Sequence, residues 1–112
     1  MAKLVGMAKA KELILLAKRI TADEAEAIGL VNKSVDPDNF WDEVMSLAKA
    51  LAEMPPITLR VAKYAINYGY ELPVEAGQAI EAAYFGIATS TEDVMEGVRA
   101  FFERRKPEFK GR

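Results

Sequence analysis

The sequence reads as an all-α chain of about five helices with one short extended segment. Three observations carry this. Apolar residues recur at three- and four-residue steps in most stretches. Proline, glycine and hydroxyl or acidic residues punctuate those stretches where helices start and stop. No run shows the sustained two-residue alternation of a sheet.

The first helix is expected over residues 8–18, where Ala10, Leu13, Leu16 and Ala17 form a face widened by Ile14 and Leu15. Lys9, Lys11, Lys18 and Arg19 read as its solvated side. Thr21 and Glu24 have capping-box spacing. They open a tight helical turn slimmed by Ala22, Ala25 and Ala27, and Gly29 ends it in the left-handed conformation. Leu30, Val31 and Val35 supply the extended segment.

Asp36 then Pro37 reads as an acidic N-cap followed by proline at the first helical position. The second helix runs to about residue 53. Its stripe of Phe40, Val44, Leu47, Ala48 and Leu51, with Trp41 and Met45 beside it, reads as packing rather than as an aromatic ligand box. Pro55-Pro56 breaks it. The third helix starts at 57 or 58 and reaches about residue 70, with Val61, Ala62, Ala65 and Ile66 inward and Tyr64, Tyr68 and Tyr70 at the core edges.

Leu72-Pro73 opens the fourth helix, in which Gly77 implies a close backbone contact and Phe85 points off the main stripe. Ser90 or Thr91 can cap the fifth, and Glu92 and Asp93 suit its positive end. Val94, Val98, Phe101 and Phe102 share a face, Arg104-Arg105-Lys106 form the last turn, and Pro107 stops it.

At 112 residues, with 51% hydrophobic residues and a net charge of −2, the chain fits one domain, 1–112, and is a poor polyanion binder. Nucleic acid is therefore not an expected partner. No apolar run approaches the ~20 residues of a membrane span, and the start has no signal-peptide layout. The expected compartment is the cytoplasm. There is no cysteine and no histidine, which excludes disulfides, thiol nucleophiles and histidine-dependent triads. Asp23, Glu24, Glu26, Asp36 and Asp38 sit at helix starts, where acids suit the dipole, so no metal site is expected. No glycine-rich phosphate cradle and no pair of converging carboxylates is visible, so no catalytic residue is assigned. The best functional candidate is the basic end: Arg104, Arg105, Lys106, Lys110 and Arg112 beside Phe101, Phe102 and Phe109. Such groups bind phosphate and cover a base, although composition alone favours a solvated helix end.

Four stretches together resemble one family. They are Leu4-Val-Gly-x-Ala-Lys-Ala-x-Glu-Leu-Ile-Leu, Arg19-Ile-Thr-Ala-Asp-Glu-Ala-x-Ala-Ile-Gly-Leu-Val-Asn, Pro55-Pro-Ile-Thr-Leu-Arg-Val-Ala-Lys, and Glu92-Asp-Val-Met-Glu-Gly-Val-Arg-Ala-Phe-Phe-Glu-Arg-Arg-Lys-Pro-Glu-Phe-Lys-Gly. Their order and spacing resemble the crotonase superfamily of enoyl-CoA hydratases and isomerases, in its C-terminal part only. The resemblance implies a helical domain that oligomerises the enzyme and closes over an acyl-CoA thioester. It implies that Phe85 lines the acyl or CoA channel and that Phe101 and Arg104 lie near the adenine and 3′-phosphate. Many members carry lysine where Arg104 stands, and the two differ in phosphate geometry. Coenzyme A enters as part of the substrate, with no separate cofactor. The oxyanion hole and the two glutamates of the hydratases belong to the family's N-terminal spiral core, so the isolated chain is expected to be inert. A homo-oligomer, and a separate N-terminal core, are the implied protein partners. The alternative is a stand-alone helical module for self-association or protein interaction, motivated by the apolar stripes on nearly every helix.

Overall fold

The computed structural model describes residues 1–112 and contains seven α-helices, one 3₁₀ turn and no strand. The helices are α1 (Ala2–Val5), α2 (Met7–Leu15), α3 (Ala22–Ala27), α4 (Phe40–Ala52), α5 (Pro56–Gly69), α6 (Val74–Thr89) and α7 (Glu92–Glu103), with the 3₁₀ turn Pro37–Asn39 leading into α4. The all-α expectation holds. The count is higher than five because the capped turn is a helix in its own right and because a short helix precedes the first expected one. Gly6, at φ 79° and ψ 157°, separates α1 from α2 in a backbone region open essentially to glycine alone.

Contacts divide the chain into two units, residues 1–45 and 46–112. In the first, α2 ends at Leu15, three residues short of the expected limit, because Ala17 turns left-handed (φ 48°). Glu12 bridges Lys9 and Lys18 at 2.7 and 3.1 Å, and these two lysines hold its carboxyl below the usual range. The capping box is complete: the Glu24 N–H donates to Thr21 Oγ1 at 3.1 Å and the Thr21 N–H to Glu24 Oε2 at 2.8 Å. Gly29 (φ 72°) closes α3, its N–H reaching the Glu26 carbonyl and that of Leu30 the Ala25 carbonyl, both at 2.9 Å. The chain then runs through bends without forming a strand. Asp36 precedes Pro37 as expected but makes no side-chain capping bond.

In the second unit, α5 and α6 form an antiparallel hairpin. Gly77 approaches Gly69 so closely that a β-carbon at 77 would lie 3.1 Å from the Gly69 carbonyl oxygen. This is the close contact that a glycine inside a helix implied. Tyr64 stacks on Tyr68 and Tyr84, with ring centroids 5.7 and 6.2 Å apart. Neither Ser90 nor Thr91 caps α7. Their hydroxyls turn back instead, donating to the carbonyls of Ile87 and Ala88 at 2.8 Å, and so close α6.

The expected stripes are only partly buried. Val61 is buried, but Ile66 is 70% exposed. Helix α4 has no buried residue, and Phe40, Trp41, Leu47 and Leu51 all face solvent. A stripe specifies which side of a helix avoids water; it does not ensure that the same chain covers that side. The total accessible area is 9085 Å². A folded monomer of 12.4 kDa typically exposes roughly 6,100 Å², so about 3,000 Å² is in excess.

The two helix-interior glycines of α6 separate propensity from packing. Gly86 has open space where a β-carbon would go, so Gly86→Ala is expected to stabilise by about 0.5–1 kcal/mol. Gly77→Ala gains the same propensity but drives a methyl into the backbone of α5, and a net loss of about 1–2 kcal/mol is expected. Urea midpoints at equal chain concentration compare the two.

Candidate functional site

The second unit ends in a tail that folds back on α7. The buried Asp93 carboxylate accepts the Lys110 N–H at 2.7 Å and the Gly111 N–H at 2.8 Å. The Asp93 N–H donates to the Arg112 carbonyl at 3.2 Å. Phe109 lies over the bare backbone of Gly97, within 3.6 Å of where a β-carbon would stand. One turn further along, Glu96 takes Arg105 in a two-pronged pair, Nη1 to Oε1 at 2.6 Å and Nη2 to Oε2 at 3.0 Å, and also accepts the Glu108 N–H at 3.0 Å.

This folding sorts the basic cluster. Arg105 is neutralised by Glu96 and Glu103, Lys106 by Glu53 at 2.7 Å and Arg112 by Glu92 at 2.9 Å. The side chains of Arg104 and Lys110 have no carboxylate partner. Helix α7 ends at Glu103, so Arg104-Arg105-Lys106, expected as its last turn, lie beyond it, and Arg104 is in the left-handed conformation at φ 54°. It closes the helix, its N–H on the Phe101 carbonyl at 3.3 Å and that of Arg105 on the Ala100 carbonyl at 3.1 Å. Phe101, three residues earlier, is 79% exposed and meets Phe102 edge-on at 5.7 Å. The result is an exposed ring and, three residues on, an uncommitted guanidinium. That pair suits a planar base with a phosphate attached.

Phe85 lies elsewhere. It is 69% exposed and lines an open groove of about 750 Å³ between α5 and α6, with Val61, Ala65, Ile66, Tyr84 and Ala88. Phe101 and Arg104 do not line this groove. Its surface is mostly aliphatic and aromatic, with Glu81, Gln78 and Thr58 as the polar exceptions. Thr58 Oγ1 is buried there without a hydrogen-bond partner. No three acidic residues come together as metal ligands, and no helix is long and apolar enough to cross a membrane. Asp93 was visible in the sequence only as an acid at a helix start, and Glu96 only as part of the stretch that carries the family resemblance. Their partners lie 9 to 18 residues away, beyond any local spacing rule.

Electrostatics fixes how firmly the tail is held. The Arg105 guanidinium, with the Glu108 N–H second, lowers the Glu96 carboxyl from its ordinary 4.5 to about 2. The same pairing raises Arg105 further above its usual value. A lowered carboxyl binds its proton more tightly in the unfolded chain, so acid favours unfolding. The contribution of Glu96 is complete above about pH 4.5 and disappears as the pH falls to about 2. Glu96→Gln is therefore expected to lower the unfolding midpoint at pH 6 and to matter less at pH 3, in urea titrations at both values.

The comparisons with known proteins agree with this architecture. The family model described as enoyl-CoA hydratase/isomerase matches residues 1–112. A short-chain-enoyl-CoA hydratase of Clostridioides difficile is 48% identical over 99 residues, covering 88% of this chain and 64% of the relative. That of Clostridium acetobutylicum is 41% identical over 113 residues, covering all of this chain and 43% of the relative. The crystal structure of an enoyl-CoA hydratase from Bacillus anthracis superposes with a TM-score of 0.94 at 35% identity, over 99% of this chain and 43% of that one. The chain thus spans from about two fifths to just under two thirds of these relatives. With the whole of its length matched and its helical fold shared, the chain belongs to the enoyl-CoA hydratase/isomerase family.

Proposed function

We propose that these residues form the C-terminal helical domain of an enoyl-CoA hydratase-like enzyme and contribute acyl-CoA contacts and oligomerisation. In the assembled enzyme, water adds reversibly across the double bond of a 2-enoyl-CoA, its oxygen going to C3 and a proton to C2. The spiral core characteristic of the family supplies the two glutamates that move the proton and the water. It also supplies the two N–H groups that hold the enolate-like thioester oxygen. No residue of this chain is assigned a chemical step, and coenzyme A enters only as part of the substrate.

The observation that carries the binding role is Arg104. A non-glycine residue at positive φ costs about 1 kcal/mol, and glycine is the usual residue at that place. A strained arginine with no intramolecular partner fits a side chain retained for an external anion. In this reading Arg104 takes the 3′-phosphate of coenzyme A, Phe101 covers the adenine, and Phe85 borders the acyl or pantetheine chain.

The excess surface favours a second role. About 3,000 Å² is several times the ~800 Å² that one partner contributes to a standard interface. We assign the stripe of α4 to contacts with other subunits and with the rest of the enzyme.

Calorimetric titration of the chain with CoA tests the binding role. Binding is expected to weaken with salt, and Arg104→Ala to lower affinity by about tenfold. Arg104→Gly is expected to lose the same affinity while gaining up to about 1 kcal/mol of stability, which separates ligand contact from folding. An Arg104→Ala variant that binds CoA like the parent, or a parent that binds none at millimolar CoA, contradicts the assignment. Turnover of crotonyl-CoA by this chain alone contradicts the absence of a catalytic group.

A further inference from the structure

Two adjacent arginines at the end of α7 have opposite situations. Arg104 has no partner and Arg105 is fully engaged. The helix-closing hydrogen bonds, onto Phe101 and Ala100, fix the backbone up to Arg105. Just beyond that point the chain is held by Glu96, as Asp93 holds it further along. The two Glu96 oxygens grip the Arg105 guanidinium at 2.6 and 3.0 Å, and one of them also takes the Glu108 N–H at 3.0 Å. Arg105 Nη1 in turn reaches the Lys106 carbonyl at 3.2 Å, and its Nε reaches Glu103 at 2.6 Å. The Arg105 side chain and the Glu108 N–H, which follow Arg104, are therefore tied to one carboxylate on the preceding turns of α7. The charges are arranged to match. Glu96 and Glu103 would repel a phosphate brought to Arg104, but both are occupied by Arg105.

We infer that Glu96 is a positioning residue: by holding the Arg105 guanidinium and the Glu108 N–H it fixes the segment that leaves the left-handed turn, and so presents Arg104 to a 3′-phosphorylated adenosine. The inference rests on the assignment of Arg104 to the 3′-phosphate and adds to it the residue that aims it. It also divides the labour at the basic end, with Arg105 serving the turn and Arg104 the ligand.

CoA and dephospho-CoA, which differ only in the 3′-phosphate, separate aiming from general stability. The full chain is titrated with each, as parent, Glu96→Ala, Arg104→Ala and the double variant. The parent is expected to prefer CoA by about tenfold. Glu96→Ala is expected to reduce that preference to about twofold while leaving dephospho-CoA affinity unchanged. In the Arg104→Ala background, Glu96→Ala should change neither. An unchanged preference in Glu96→Ala, or an equal loss for both ligands, overturns the inference. A parent that does not discriminate refutes the phosphate assignment, and the positioning claim is then judged separately by backbone ¹⁵N relaxation. Glu96→Ala must raise mobility at residues 104–106 while residues 92–100 stay rigid; unchanged mobility at 104–106 overturns it.

Discussion

The six apolar residues most withdrawn from water are Ala10, Leu13, Ala25, Val61, Ala88 and Ala100. Four of these are alanines, whose burial yields little transfer free energy. The large side chains, Trp41, Ile66, Phe85, Phe101 and Phe102 among them, remain 69–79% exposed. Helices that touch through alanine and glycine approach closely, as Gly69 and Gly77 do, but they spend little of their apolar surface on one another. The rest of the architecture follows from this imbalance. The faces of α4, α5 and α6 keep much of their large apolar side chains exposed.

Polar staples do the work that a larger core would otherwise do. Asp93 closes the tail onto the start of α7 through two backbone N–H groups. Glu96 does so one turn later through Arg105 and Glu108. Carboxylates satisfied in this way are stable partners because each of their oxygens has a directed donor. They also decide which cations remain available. By consuming Arg105, Lys106 and Arg112, the acids of the second unit leave Arg104 as the free guanidinium at the end of α7. The proposed ligand contact is thus a by-product of how the tail is held.

Much of the fold was legible because its punctuation is local. Thr21 with Glu24, Gly29, the Pro55-Pro56 break and the Gly77 contact each follow from chemistry within a few residues, and each is present in the structure. Local chemistry misled where two choices were equally good. Asp36 does not cap, and the Ser90 and Thr91 hydroxyls finish the preceding helix instead of starting the next. The fate of the apolar stripes could not be read, because periodicity is silent on whether a partner lies in the same chain. The sorting of the basic end was hidden for a related reason. Which arginine is free depends on Glu96, Glu53 and Glu92 arriving from other turns and other helices. The family resemblance, and not a local rule, is what singled out Phe101 and Arg104 at that end.

The central claim is that this chain carries one side of interfaces it does not complete by itself. Sedimentation equilibrium of the pure chain across a hundredfold range of concentration tests that claim directly. The account predicts reversible self-association at micromolar concentration, weakened when Trp41 and Leu47 on α4 are replaced by polar residues. A single species of 12.4 kDa throughout that range would contradict it.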